Sequence, residues 1–286
     1  MDWLSALQQL RRDGLPGVLV TVVEVRGHAP RDAGAKMVVG AAHTWGSVGG
    51  GNLEEVAVVR ARELLHAGSA VPEFQETPLS EHARNRHGRQ CCGGVVRLLL
   101  EPIPARPVVA VFGMGHVGYE LARILSRLEI GLHLVDSRTD QLDELRLAAV
   151  TGGCADVTIH HLLLGERLLE GLPRGAHVVI MTHDHAEDFA LCDTALRTPA
   201  LGSIGLIGST AKWTRFRSRL ADQGHEQAAV DRITCPIGMP ELTGKEPAVI
   251  AVGIAATLLE LLRPRARATS GAATTASPEP ERRVPR

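Results

Sequence analysis

The hexapeptide Gly113-Met114-Gly115-His116-Val117-Gly118 most constrains what this chain can fold into. It follows the unbroken apolar run Val108-Val109-Ala110-Val111-Phe112. It opens a stretch in which Val117, Leu121, Ile124, Leu125 and Leu128 recur at helical spacing. A five-residue apolar strand has no polar face to give to water, so it belongs inside a parallel sheet covered on both sides. Passing through three glycines directly into an amphipathic helix makes it the first half of a βαβ unit. The alternation continues downstream: residues 132–135 read as a second strand, residues 176–182 precede a helix to about residue 197, and residues 203–207 precede a helix through residue 220. Strands alternating with helices predict a doubly wound parallel sheet.

The chain ahead of this segment is patterned differently. Residues 18–25 and 35–39 are rich in β-branched side chains and flank the turn Gly27-His28-Ala29-Pro30-Arg31, which predicts a hairpin-like start. A second glycine loop, Gly46-Ser47-Val48-Gly49-Gly50-Gly51, opens a helix carrying Leu53, Val56, Val59 and Leu64. Cys91-Cys92-Gly93-Gly94 then leads into the strand-like residues 95–100. Pro102, Pro104 and Pro107 interrupt both strand and helix and mark a linker. A length of 286 residues suits two domains. The expected architecture is α/β: an N-terminal α+β domain over residues 1–103, a Rossmann-like doubly wound domain over residues 104–265, and a disordered tail over residues 266–286. That tail is rich in Ala, Thr, Ser, Pro and Arg and has too few large apolar residues to pack. No internal repeat is visible.

Composition removes several classes of function. A net charge of -1 and 3% aromatic residues lack both the electrostatic footprint and the stacking surface of a nucleic-acid binder. The most apolar stretch, residues 247–262, is shorter than the roughly 20 residues a membrane span needs, and the N-terminal residues read as a short amphipathic helix rather than an export signal. Five cysteines, an odd count, suit free thiols in a reducing cytoplasm better than a disulfide framework.

Each candidate site has two readings. The Gly113 loop, followed by Asp136 at the end of the second strand, suits a phosphate at a helix N-terminus with an acid on ribose hydroxyls; a tight turn without ligand is the alternative. The Gly46 to Gly51 loop with Glu54 is an anion site or a plain turn. Cys92, between a basic segment (His82, Arg84, Arg86, His87, Arg89) and two glycines, is either an activated thiolate fit for a soft metal or a small buried hydrophobe. Thr182-His183-Asp184-His185 with Asp188 reads as helix capping in preference to a metal site. Gly208-Ser209-Thr210 with Lys212 reads as an anion-friendly helix start or simple capping.

In succession, these motifs resemble the XdhC/CoxI family, accessory proteins that bind molybdenum cofactor and help mature xanthine dehydrogenase and related molybdenum hydroxylases. The carriers are Val25-Arg26-Gly27-His28-Ala29-Pro30-Arg31, Gly46-Ser47-Val48-Gly49-Gly50-Gly51-Asn52-Leu53-Glu54, Cys92-Gly93-Gly94, the Gly113 to Gly118 loop, Asp136-Ser137-Arg138, and Gly205-Leu206-Ile207-Gly208-Ser209. The resemblance implies a cytoplasmic chaperone, expected as a homodimer, with no catalysis of its own. It would hold Mo-molybdopterin as cargo while a cysteine desulfurase supplies a sulfido ligand, then pass it to the apo-dehydrogenase. On that reading the cofactor-binding residues are Cys92, Gly49, Gly50, Gly51, Gly113, Gly115, His116, Gly118, Asp136, Arg138 and Ser209, with Cys92 beside the metal. The alternative is an NAD(P)-dependent oxidoreductase that uses the Gly113 loop for its nucleotide.

Overall fold

The computed structural model describes residues 1–79 and 94–262. Helix α1 (Trp3–Arg12) is capped by Asp2, whose carboxylate accepts from the Ser5 amide at 2.8 Å. Then come β1 (Gly17–Arg26), β2 (Lys36–Val39), β3 (Thr44–Gly46), α2 (Gly51–Ala67), β4 (Glu73–Pro78) and β5 (Val95–Ile103). The five strands form one antiparallel sheet in the order β3-β2-β1-β5-β4, with the predicted hairpin pairing Val18 to Val39. Val18, Val20 and Val22 of β1 and Val96, Leu98 and Leu100 of β5 alternate onto one face. There they meet Leu53, Ala57, Ala61 and Leu64 of α2. Helix α1 covers the other face through Ala6 and Leu10, which pack on Val38.

The second body comprises β6 (Val108–Phe112), α3 (His116–Leu125), β7 (Gly131–Asp136), α4 (Glu144–Thr151), β8 (Asp156–His161), β9 (His177–Ile180), α5 (His185–Arg197), β10 (Ser203–Leu206), α6 (Thr210–Asp222), α7 (Gln227–Val230), β11 (Ile233–Thr234) and α8 (Pro247–Leu262). Its six parallel strands run β11-β10-β9-β6-β7-β8, a Rossmann-like order. All five residues of β6 are buried, as its apolar run requires. Ala110 and Phe112 face a core shared with Leu191 and Ala195 of α5. Val109 and Val111 face one shared with Leu121 of α3 and Ile254 and Leu258 of α8. The chain leaves β6 in one direction to β7 and β8 and resumes at β9 on the other side. The connections leaving the C-terminal ends of β6 and β9 pass to opposite faces, the switch point at which sheets of this kind open a crevice.

Strand direction also sets where the loops lie. Ile103 at the end of β5 pairs with Gly17, next to the linker, whereas Val95 at its start pairs with Arg26, so Gly94 lies at the far end of that sheet. The linker feeds the N-terminal end of β6, and the Gly113 loop leaves its C-terminal end. Each loop thus sits at the end of its own sheet remote from the linker. Among the described residues, no hydrogen bond or ion pair joins the segment before residue 104 to the segment after it.

Strands β4 and β8 were not apparent in the sequence. Both are edge strands with largely exposed side chains, so neither carries an apolar signal. Cys91, Cys92, the basic segment before them and the tail over residues 266–286 lie outside the described residues. Among the described residues, no helix is long and apolar enough to cross a membrane.

Because the two apolar cores share no residue, truncating one should leave the other intact. Leu98→Ala and Leu134→Ala each empty a fully buried site and are expected to cost about 2–5 kcal/mol. Scanning calorimetry should show each substitution lowering a different one of two unfolding transitions.

Candidate functional site

The crevice is shaped first by backbone. Gly113 has φ +101°, in the left-handed region, and a Cβ there would run into the Met181 carbonyl at the end of β9. A Cβ at Gly118 would strike the Gly113 carbonyl, so the third glycine lets α3 close over the turn. Gly115, the N-cap of α3, has no side-chain cap and nothing near its missing Cβ: this is the open side of the loop. These are the steric roles the hexapeptide pattern predicts.

Asp136 does something other than wait for a ribose. Its carboxylate is buried and accepts from the Met114 amide at 2.6 Å, from the Arg138 amide at 2.9 Å, and from Arg138 Nε and Nη2, each at 2.9 Å. Burial alone would raise its pKa, but the bonds from Arg138 and Met114 outweigh it and hold the group below the usual 3.8. Both oxygens are spent on fixing the glycine loop and Arg138, so Asp136 acts as a positioning residue.

The loop after β9 caps α5. Asp184 accepts from the Ala186 amide at 2.6 Å, Thr182 donates its hydroxyl to the Asp184 carbonyl at 2.9 Å, and its amide donates to Asp188 at 2.9 Å. Asp188 is buried against Lys212, which also donates to the Ile207 carbonyl at 3.1 Å. The expected preference for capping over a metal site fits this arrangement. Among the described residues, no group of three or more His, Cys, Asp or Glu is placed to hold a metal. Ser209 accepts from the Lys212 amide at 3.2 Å and so caps α6. Glu187 is half-buried near His183 at 3.8 Å. Burial, reinforced by Asp136, Asp188 and Asp184, raises its pKa, with His183 opposing.

Between α3, α4 and α8 lies a cleft of about 570 Å³, lined by Gly115, His116, Tyr119, Arg138, Arg146 and Glu246 among others. The sequence pointed to Gly115, His116 and Arg138 but not to Arg146, which arrives from α4. The Arg146 guanidinium donates to the Gln141 carbonyl at 2.8 Å and to Gln141 Oε1 at 2.6 Å, and it lies 5.0 Å from the Tyr119 ring centroid.

The earlier glycine loop is closed on itself. Gly49 donates its amide to Ser47 Oγ at 3.1 Å and Gly50 donates to Glu54 at 3.1 Å, while the Ser47 hydroxyl also donates to Glu54 at 2.7 Å. The amides of Gly49 and Gly50 therefore serve the loop rather than standing free for an anion, and Gly51 begins α2. Strand direction places this body's Gly94 end and the Gly113 loop at separate sheet ends. Of the described cysteines, Cys192 is buried in the core, and burial pushes its thiol up. Burial likewise pushes Cys235 up to about 11, so neither is a thiolate at neutral pH.

Comparison with known proteins gives this geometry a context. Residues 109–258 match the XdhC Rossmann domain, and residues 10–75 match the XdhC and CoxI family. YqeB of Escherichia coli K12, described as uncharacterized, is 20% identical over 261 residues, covering 91% of this chain and 46% of YqeB. The chain thus spans about half the length of that curated relative. A crystal structure described as a xanthine dehydrogenase from Bacillus halodurans superposes with a TM-score of 0.47 at 21% identity, covering 94% of this chain and 98% of its own. TcdA (CsdL) does so at 0.40 and 15% identity, covering 55% and 86% respectively.

Replacing Asp136 by Asn should cost about 3 kcal/mol near neutral pH, because it leaves Arg138 and the loop without their buried anion. A carboxyl whose folded pKa is depressed stabilises the fold above its unfolded value and loses that contribution as pH falls through the folded one. The gap between wild type and Asp136→Asn should therefore be full well above 3.8 and shrink below it. Urea unfolding at about pH 7 and about pH 3 reads this directly.

Proposed function

Because the chain belongs to the XdhC and CoxI family, we propose that it is an accessory protein in the maturation of xanthine dehydrogenase or a related molybdenum hydroxylase. It holds molybdopterin-bound metal as cargo while a cysteine desulfurase supplies the terminal sulfido ligand, and it then releases the cargo to the apo-enzyme. Residues around the Gly113 loop are the cargo-facing set. Gly115 offers an unobstructed backbone, and His116 and Arg138 line the adjoining cleft. Glycines here serve close approach to the phosphate-bearing end. Cys92 stands on the sequence as the thiolate beside the soft metal centre. Ser209 contributes by fixing the start of α6 rather than by offering its hydroxyl.

The observation that carries this reading over a hydride-carrier enzyme is the saturated Asp136 carboxylate. A nicotinamide dinucleotide site uses that acid for the ribose hydroxyls. Here its oxygens already hold Met114 and Arg138.

The test is anaerobic incubation with molybdopterin-bound metal, followed by gel filtration and pterin fluorescence. The wild type is expected to retain the pterin, and Cys92→Ala to retain at least about tenfold less of the molybdenum, the lower end of what losing even a group that supports a metal ligand costs. Equal metal retention by both would remove the cysteine role alone. Absence of pterin from the wild type, with saturable NADPH binding instead, would favour the oxidoreductase.

A further inference from the structure

We propose that the cleft between α3, α4 and α8 is a phosphomonoester site and that Arg146 is its anchor. The proposal deepens the preceding reading, since it says which part of the cargo this cleft grips.

The starting observation is an imbalance of charge. Arg60, Arg123, Arg138 and Arg197 each hold a carboxylate. Arg146 does not: the groups that fix it are the Gln141 carbonyl and amide oxygens, the Gly115 carbonyl at 3.5 Å, and the face of Tyr119, all neutral. Among the described residues it forms no ion pair. A planar cation is thus oriented at a cleft wall by four contacts with neutral groups and given no counter-ion among the described residues. Orienting a guanidinium costs side-chain entropy, and a fixed fork suits bidentate recognition of a carboxylate or phosphate.

The surroundings select the anion. Arg138 lines the same cleft with its Nε and Nη2 turned to Asp136, leaving Nη1 for a ligand. Gly115 at the start of α3 and Pro247 and Ala248 at the start of α8 also line it, so two helix N-termini add partial positive charge to the two guanidinium groups. Of the acids on the wall, Glu120 is paired with Arg123, and Glu246 is exposed and forms no ion pair with Arg146 among the described residues. That balance suits a compact dianion. The adenosine ribose of a dinucleotide fits poorly, because the acid that would receive its hydroxyls is locked by Arg138. A volume of about 570 Å³ leaves space for a bicyclic ring beyond the phosphate.

The experiment uses the full chain, with the fluorescent oxidised pterin phosphate and the same pterin after phosphatase treatment as probes, read by anisotropy. The wild type should bind the phosphorylated form about ten- to a hundredfold more tightly, the scale of a charged hydrogen bond. Inorganic phosphate should compete. Arg146→Met should erase the preference, and Arg146→Lys, which keeps the charge but not the fork, should restore part of it; thermal unfolding establishes that both variants are folded. The control Arg127→Met, on the exposed surface of the same body, should bind as wild type. Equal wild-type affinity for the two forms, or an unchanged preference in folded Arg146→Met, overturns the phosphate anchor and leaves the cargo reading standing. If neither pterin binds but adenosine monophosphate binds in an Arg146-dependent way, the anchor stands and the pterin cargo falls. If none of these ligands binds, both fall.

Discussion

One buried carboxylate organises the C-terminal edge of the parallel sheet. Asp136 ends β7, yet its oxygens reach the amide of Met114 in the neighbouring loop and both the backbone and side chain of Arg138. The loop leaving β6 is made of glycines at its critical points and has little conformational preference of its own. The carboxylate supplies the constraint those glycines lack. With the loop fixed, α3 starts with its open N-terminus beside the cleft. With Arg138 fixed, the cleft acquires one wall. The same interaction removes the acceptor a ribose would need. The architecture at this edge therefore follows from one buried group.

Much of this was legible in the sequence, for physical reasons that can be named. The five apolar residues of β6 allow only a strand covered on both faces, and the spacing of three glycines reports two close backbone approaches and one open face. Capping at Asp184 and Ser209 was legible because short polar side chains before helices have few other uses. What failed to show were features defined by partners distant along the chain. Asp136 is visible as an acid at a strand end, but nothing in the order of residues says that Arg138 folds back on it. Arg146 sits in an eight-residue helix amid ordinary charged residues, and its significance appears only when Tyr119 and Gly115 are found beside it. The Gly49 loop was open to two readings, an anion site or a plain turn, and in the fold Ser47 and Glu54 accept from its own amides.

The two bodies divide the labour differently. The antiparallel sheet buries its core under α2 and carries α1 on its reverse side, leaving β4 and β3 as edges. The parallel sheet is covered on both faces and concentrates its polar groups at one rim, where Asp136, Glu187, Asp188 and Lys212 meet. Asp136 is paired there with Arg138 and Asp188 with Lys212, whereas Arg146 forms no ion pair among the described residues.

The direction of two strands decides where each loop is held relative to the linker. β5 runs toward the proline-bearing linker and β6 runs away from it, so Gly94 lies a strand of about 30 Å before the linker and Gly113 a strand of about 17 Å after it. Each of these loops is thus carried at the end of a strand whose other end adjoins the prolines, and the linker is the common point from which both are held out.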